Sequence, residues 1–325
     1  MKFRTEVEIR PFGRKIGYGS RLFAIGSCFA DNMAEALLRA KFRVTANPAG
    51  VMFNPASIAQ TIRIFHKREQ IAEQELTECN GRVFDYRFHG SLAGLTVEDT
   101  LEKINTAIET GYKALKEADT VIITFGTAWV YILNSTGETV ANCHKQPAAM
   151  FTRKRLSVNE IVDTFSELFD TVLKDKFVIL TVSPVRHLGD GADENFLSKA
   201  TLKLAAAELE KRFCNNVVYF PAYEILNDDL RDYRFYADDL VHPSAQAVEY
   251  IREKFFAAAL DRQALDTLPR VEQVITAAQH RPSDKHSPRF AAFCKAQAEN
   301  TLALESQVEG LDLSAERAYF TEFAQ

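Results

Sequence analysis

The chain has 325 residues, with 39 Lys and Arg against 44 Asp and Glu, which gives a formal net charge of −5. Its 46% apolar and 26% charged residues are ordinary for a globular protein and exclude a fibrous, low-complexity or wholly disordered chain. The acidic balance, without a dense Lys/Arg run, argues against nucleic acid as a partner. The first ten residues lack the apolar segment of a secretory signal, and no apolar run is long enough for a bilayer. We therefore expect a cytoplasmic protein with five reduced cysteines and no membrane partner.

The first part of the chain predicts two strands around a helix. Residues 22–25 form an apolar run that Gly26 stops, which is typical of a buried strand. Residues 31–38 carry apolar side chains at helical spacing, and residues 42–45 predict a second short strand. A longer helix over 98–118 then leads directly into a third strand, 120–125.

The middle of the chain continues the alternation. Residues 131–140 predict a hairpin whose turn runs from Asn134 to Gly137. Ser157 and Glu160 form a capping-box pattern ahead of an amphipathic helix to about residue 173. The predicted elements that follow are a strand at 177–182, a helix at 194–213, a strand at 217–220 and a helix from Pro243 to Leu260.

Strands that alternate with helices predict a single α/β domain of three layers, α/β/α, around a mostly parallel sheet of five strands. We place this domain at residues 1–265. Residues 266–325 show no strand pattern, and a polar, proline-containing loop at 280–288 separates two helical pieces. We predict that this segment is a helical C-terminal appendage that packs on the main domain.

Ligands of open parallel sheets bind at the carboxyl ends of the strands, so the residues that follow each strand are the candidate site. Cys28 comes at the turn between the first strand and its helix. A helix N-terminus lowers the pKa of a thiol and supplies N–H donors for an oxyanion, as a cysteine nucleophile requires. On position alone, a small buried hydrophobic residue is the more common role for such a cysteine.

His242 follows the fifth strand in the pattern Asp239-x-x-His242. The Asp239 carboxylate is close enough in sequence to orient the imidazole, whose other nitrogen then serves a nucleophile as base. The alternative is that His242 only caps the helix that begins at Pro243. Asp-x-x-His alone is weak evidence for a catalytic base. A cysteine after the first strand of the same sheet strengthens that prediction.

Further candidates lie on the same rim. His144 and His187 either bind substrate or are satisfied structural histidines, and Arg186 with Lys145 either receives an anionic group or pairs with Asp190 or Glu138. Cys143 and His144 are too few for a metal site, so no metal is expected. The remaining histidines fall in polar surroundings and are interpreted as surface residues: His66, His89, His280 and His286.

Several of these segments together resemble the GSCFA-domain family, a bacterial group related to the SGNH (GDSL-like) hydrolases. The segments that carry the resemblance are Gly-Ser-Cys-Phe-Ala30, Asn-Pro-Ala-Gly50, Phe-Gly-Thr-Ala-Trp129, Asn-Cys-His-Lys145, Ser-Pro-Val-Arg-His187 and Asp-Leu-Val-His242. The resemblance implies a flavodoxin-like sheet of strand order 2-1-3-4-5. It also implies that Cys28 stands at the nucleophile position, that the N–H of Gly50 lines the oxyanion hole, and that Asp239 and His242 complete a triad.

Two departures from the superfamily pattern bear on the chemistry. The nucleophile is a thiol, and Ser27 is the alternative nucleophile if the turn is shifted by one residue. Ala128 stands where the superfamily carries an asparagine whose amide completes the oxyanion hole, and losing one such donor typically costs about 10²–10³ in rate. Either Thr127, Asn142 or His144 replaces it, or the hydrolase chemistry has changed or been lost.

The leading hypothesis is an acyl-ester hydrolase or acyltransferase with a Cys28–His242–Asp239 triad, acting on a small-molecule or carbohydrate acyl ester such as an acetyl ester. No cofactor is expected, apart from an acyl donor such as acetyl-CoA if the enzyme is a transferase. The competing hypothesis is a non-catalytic ligand-binding module with a degenerate pocket of the same type. The sequence does not fix the acyl group, the acceptor or the oligomeric state.

Overall fold

The computed structural model describes residues 4–282, 284–285 and 287–324, and for residue 190 the backbone alone. The predicted surface position of His286 and the predicted pairing with the Asp190 side chain therefore concern groups outside the described part. The strands are β1 (Arg21–Gly26), β2 (Arg43–Ala46), β3 (Thr77–Cys79), β4 (Arg82–Phe84), β5 (Thr120–Phe125), β6 (Trp129–Leu133), β7 (Thr139–Val140), β8 (Phe151–Arg155), β9 (Phe177–Val182) and β10 (Val217–Phe220). The helices are α1 (Cys28–Arg39), α2 (Pro55–Lys67), α3 (Val97–Glu117), α4 (Val158–Asp170), α5 (Ala192–Arg212), α6 (Ala222–Glu224), α7 (Ala245–Ala259), α8 (Arg262–Gln279), α9 (Pro288–Gln307) and α10 (Ser314–Phe323).

A parallel sheet of five strands lies at the centre, in the order β10-β9-β5-β1-β2. The five strands predicted from the sequence are the five strands of this sheet, and their parallel arrangement is confirmed. When these five strands are numbered 1 to 5 in chain order, the sheet has the order 2-1-3-4-5 that the resemblance implies. The order places β1 and β5 in the middle, so the residues that follow these two strands meet at the carboxyl edge.

Helices cover both faces of the sheet, because successive side chains of each strand point to opposite faces. In β1, Leu22 and Ala24 join the core that contains buried residues of α1 and α7. Phe23 and Ile25 join the second core, together with buried residues of α2, α3, α4 and α5. The three-layer α/β/α architecture is thus confirmed.

Some boundaries differ from the predicted ones. The last helix of the main region begins after Ser244, whose hydroxyl accepts the Ala247 N–H, so Pro243 precedes the cap and does not open the helix. The predicted hairpin turn is present, but its strands belong to a small antiparallel sheet to which β8 adds a third strand. The sequence patterns also missed α2 and the short β3–β4 hairpin.

The helices α8, α9 and α10 pack on the face of the sheet that α1 and α7 cover. Val271, Cys294 and Phe320 are buried in the same core as Leu22 of β1. The domain boundary at residue 265 stays a prediction, and α8 runs across that position. No helix in the described part of the chain has the length and apolar character to cross a membrane.

Gly26 ends β1 with φ +139, a conformation that L side chains rarely adopt. A Cβ atom at this position would overlap the carbonyl oxygen of Thr124 on the neighbouring strand β5. The strand therefore needs glycine here for two reasons, the backbone angle and the close approach of β5. This turn delivers Ser27 and Cys28 to the carboxyl edge.

We predict that Gly26→Ala lowers the free energy of unfolding by about 2 kcal/mol or more, since strain and overlap add. The matched control is Gly137→Ala, because Gly137 has φ +74 but no atom within 4 Å of the added Cβ. The control is expected to cost about 1 kcal/mol, from strain alone. Urea denaturation of both variants measures the difference, and equal losses would contradict the role given to the approach of β5.

Candidate functional site

Cys28 is the first residue of α1, directly after the turn at Gly26. Ser27 is the N-cap residue in extended conformation, and only 1% of its surface is exposed. Its hydroxyl has no hydrogen-bond partner among the described residues. The Cys28 side chain is half-buried, so of the two candidate nucleophiles the thiol is the more accessible.

The pKa of Cys28 differs from the sequence-based expectation, which was that the helix N-terminus would lower it. Burial, and next the nearby carboxylate of Asp31, raise the pKa of the thiol above its ordinary value. The backbone N–H groups of Cys28 and Phe29 and the charge of Lys199 lower it, but by less. The thiol is therefore protonated near neutral pH and needs a proton acceptor to react.

Asn47, in the loop after β2, fixes the geometry around Cys28. Its Oδ1 accepts the Gly26 N–H at 2.8 Å, and its Nδ2 donates to Asp31 Oδ1 at 2.6 Å. Its backbone N–H also donates to the Ala24 carbonyl, so one residue ties the end of β1 to α1. Asn47 lies in the predicted Asn-Pro-Ala-Gly50 segment, where only Gly50 was expected to act.

Gly50 and His89 form the next part of the site. The Gly50 N–H, expected in the oxyanion hole, donates to the Asn47 carbonyl at 2.8 Å within its turn. Gly50 has φ +80, and a Cβ there would overlap the His89 side chain. His89 was interpreted as a surface residue, but it is half-buried against this turn. Burial lowers the pKa of His89, and the Asp31 carboxylate acts in the opposite direction.

Asp239 and His242 form the hydrogen-bonded pair that their spacing suggested. His242 Nδ1 lies 2.6 Å from Asp239 Oδ2, while Asp239 Oδ1 accepts the N–H groups of Val241 and His242. These bonds lower the pKa of Asp239 to about 2, and the bond from the His242 backbone N–H has the largest effect. Both side chains are about half exposed, at 50% and 48%, so the pair faces solvent.

Arg186 binds the loop that carries Asp239 and His242 to the end of β9. Its N–H donates to the Val241 carbonyl at 3.1 Å, and its guanidinium donates to the Leu240 carbonyl at 3.3 Å. The guanidinium also lies 5.6 Å from the Tyr236 ring centre. These contacts are structural, whereas the sequence left two roles open for Arg186, binding of an anionic group of the substrate or pairing with an acidic residue.

A cleft of about 360 Å³ brings together three predicted substrate-binding residues, Thr127, Asn142 and His187. Trp129 and Arg153 line it as well, with the guanidinium carbon 3.9 Å from the Trp129 ring centre. None of the three triad candidates is among the lining residues of this cleft.

Ala128 and His144 are both held by contacts with other parts of the fold. Ala128 is fully buried, and its N–H donates to the Ser198 hydroxyl at 2.8 Å. The His144 ring stacks on Phe84 at 4.2 Å, and its Nε2 lies 3.1 Å from the Asp85 carbonyl oxygen. Of the three proposed replacements for the missing asparagine, Thr127 and Asn142 line the cleft, whereas His144 does not.

The structure thus places the predicted residues in three groups: the Cys28 turn, the cleft and the Asp239–His242 pair. No hydrogen bond joins the Cys28 thiol to the His242 ring in residues 4–282, 284–285 and 287–324. Within the same ranges, no group of three or more His, Cys, Asp or Glu residues is arranged to hold a metal ion.

Lys199 on α5 is absent from the predicted site. Only 2% of its surface is exposed, and its Nζ donates to the carbonyl oxygens of Gly126 and Ser183 at 2.7 Å each. Its position in the helix was the available signal, because it repeats the spacing of the buried Leu202 and Ala206. A lysine on the apolar face of a helix is uncommon and marks a special environment.

The comparisons with known proteins identify the family. The model of the GSCFA family matches residues 21–255, and the model named GSCFA domain protein, C-terminal domain, matches residues 271–325. The chain therefore belongs to the GSCFA family. No curated protein matches the chain significantly.

Among solved structures, the chain is similar to an acetyl xylan esterase from the rumen bacterium Butyrivibrio proteoclasticus. The identity is 13% and the TM-score 0.36, over 78% of this chain and 64% of that one. The match spans less than two thirds of the esterase, and a likeness this remote carries no conclusion about the site.

We predict that Asn47→Ala lowers the free energy of unfolding by about 1–3 kcal/mol beyond any backbone strain, because it leaves the buried Gly26 N–H without an acceptor. Asn80→Ala is the matched control, since Asn80 has a similar left-handed backbone, φ +51 against +40, at an exposed turn. Denaturant unfolding compares the two variants. Equal losses would show that the Asn47 amide does not stabilise the turn.

Proposed function

We propose that the chain is a thiol-dependent acyl-ester hydrolase or acyltransferase, in which Cys28 attacks the acyl carbonyl, His242 transfers the proton and Asp239 orients the imidazole. The observation that carries this proposal is the Asp239–His242 pair, joined at 2.6 Å, on the carboxyl edge of the sheet whose strand β1 delivers Cys28. A nucleophile, a base and a third group that orients the base are the elements of a triad.

Because the pKa of the thiol is raised, the proposed reaction requires such a base. In the proposed first step, the Cys28 proton moves to His242 as the sulfur–carbon bond forms. The ester carbon–oxygen bond then breaks, and the leaving oxygen takes the proton from His242. Water or a sugar hydroxyl next gives its proton to His242 and attacks the thioester. The sulfur–carbon bond breaks and His242 returns the proton to the Cys28 sulfur, so the cycle closes without a cofactor.

The oxyanion of this reaction has donors at the start of α1. The N–H groups of Cys28 and Phe29 lower the pKa of the thiol and lie in the first turn of α1, where the dipole of the helix favours negative charge. The Gly50 N–H is engaged with Asn47, so these two groups replace it in the proposal. The cleft with Thr127, Asn142 and His187 is the proposed binding site for the rest of the substrate, a small-molecule or carbohydrate acyl ester.

A non-catalytic binding module is the second candidate. Three observations favour it: the raised pKa of Cys28, the engaged Gly50 N–H, and Ala128 in place of the oxyanion asparagine. Under this candidate the cleft binds its ligand and no turnover occurs. Assays of short-chain acyl esters separate the two candidates, since hydrolysis that depends on Cys28 excludes the binding module.

We predict that Cys28→Ala abolishes turnover of short-chain acyl esters, because it removes the nucleophile. The matched control is Cys79→Ala, since Cys79 is also free and half-buried but lies in the β3–β4 hairpin. Undiminished turnover by folded Cys28→Ala would refute the proposal. Cys28→Ser and Ser27→Ala, compared by turnover and by alkylation, identify the attacking side chain.

Asp239→Asn is expected to lower kcat by about 10²-fold or more, since the imidazole loses the acceptor that sets its tautomer and orientation. The pKa of Asp239, about 2, means that its carboxylate is ionised throughout the assay range. The neighbouring exposed Asp238 supplies the control, Asp238→Asn, which should keep wild-type kcat. Equal activity of the two variants would remove Asp239 from the mechanism.

A further inference from the structure

Lys199 is a buried lysine whose two recorded hydrogen bonds both go to main-chain carbonyl oxygens, those of Gly126 and Ser183. These residues directly follow β5 and β9, so the amine lies beneath the carboxyl edge of the sheet. No carboxylate forms an ion pair with Lys199 in the described part of the chain. A neutral amine has two N–H donors, which the two carbonyls satisfy, whereas an ammonium has a third that needs a partner. Burial lowers the pKa of Lys199 to about 7, so the neutral amine is accessible near neutral pH.

The Lys199 amine and the turn that carries Cys28 both lie next to Gly126. Gly126, whose carbonyl Lys199 binds, packs against the turn so closely that a Cβ on it would lie 3.2 Å from Ser27 Cβ. Ser27 is in turn the residue that precedes Cys28 and caps its helix. The two groups also interact electrostatically, since the Lys199 charge lowers the pKa of Cys28 and the Cys28 thiolate raises that of Lys199.

We propose that Lys199 is a positioning residue for Cys28: its buried amine takes up a proton from solvent as the thiol ionises, and the resulting ammonium charge stabilises the thiolate. The thiol proton goes to solvent when no substrate is bound and to His242 during turnover, while Lys199 takes its own proton from solvent, so the protons balance. The exchange runs through solvent or the reacting groups and needs no direct contact between sulfur and nitrogen. Its role in catalysis rests on the proposed function, in which Cys28 is the nucleophile.

Other charged and titratable groups near Cys28 and Lys199 affect the protonation of both residues. Asp31, on the same helix as Cys28, opposes the thiolate, and His89 faces Asp31 from across the Gly50 turn. On the other side, the Tyr223 ring centre lies 5.9 Å from Lys199 Nζ. When protonated, Lys199 is a cation that counters Asp31 at Cys28, and its removal leaves the backbone N–H groups of Cys28 and Phe29 as the groups that favour the thiolate.

The test is the pH dependence of Cys28 alkylation by iodoacetamide in the full chain, followed by peptide mass spectrometry. Lys199→Met is expected to slow alkylation at pH 8 by about tenfold, which corresponds to a rise of one unit in the pKa of the thiol. Lys199→Arg, which keeps a positive charge, should restore the rate. The control is Lys176→Met, which removes another lysine that donates to a main-chain carbonyl, that of Ala118, at the opposite edge of the sheet. An unchanged rate in folded Lys199→Met overturns the proposal.

A reciprocal measurement covers the case in which Lys199→Met does not fold. Cys28 is half-buried at a helix start that tolerates Asp, so Cys28→Asp and Cys28→Ala are suited to it. NMR titration of the lysine ¹³Cε signals should give a higher pKa for Lys199 in Cys28→Asp than in Cys28→Ala, and equal values overturn the proposal. Neither readout uses turnover, so a chain that lacks esterase activity but shows both shifts keeps this inference while the proposed function fails.

Discussion

The hydrogen bonds of the Asn47 amide are the constraint on which the site depends. One side of the amide accepts the N–H of Gly26, and the other donates to Asp31, so strand β1 and helix α1 meet at a fixed angle. The bond to Gly26 is buried, so breaking it would leave a buried N–H without a partner, whereas the bond to Asp31 is only partly buried. The position of Cys28 at the start of α1, and the nearness of Asp31 to its sulfur, both follow from this bridge.

The burial of Cys28 and its nearness to Asp31 together raise the pKa of the thiol. A half-buried thiol beside a carboxylate stays protonated, so the helix N-terminus does not by itself produce a nucleophile. We propose two proton acceptors: the solvent-facing His242, held by Asp239, and the buried amine of Lys199. In the proposed account the first moves protons during acyl transfer, and the second sets how readily the thiol ionises. Their different burial suits these different tasks, because an exposed imidazole exchanges protons quickly and a buried charge acts strongly on its neighbours.

The sequence predicted the central sheet well, because its strands are short apolar runs with clear ends and the helices between them are amphipathic. It failed where local patterns carry little information. The β3–β4 hairpin is too short and too polar to give a periodic pattern, and α2 begins at Pro55 after an irregular loop. At the site, the spacing of Asp239 and His242 was enough to predict their bond, since both lie in one turn of the chain. The raised pKa of Cys28, the burial of His89 and the contacts of Lys199 arise between segments distant in sequence, and no pattern within one segment reports them.

The central claim is that Cys28 carries the acyl group during turnover. Peptide mass spectrometry of the protein, quenched in acid shortly after mixing with an activated acetyl ester, tests it most directly. We expect one acetyl group on Cys28, bound as a thioester that hydroxylamine removes, and no accumulation of acetyl groups on the other four cysteines. An acetyl group on Ser27, or hydrolysis of the ester with Cys28 unmodified at every time point, would contradict it.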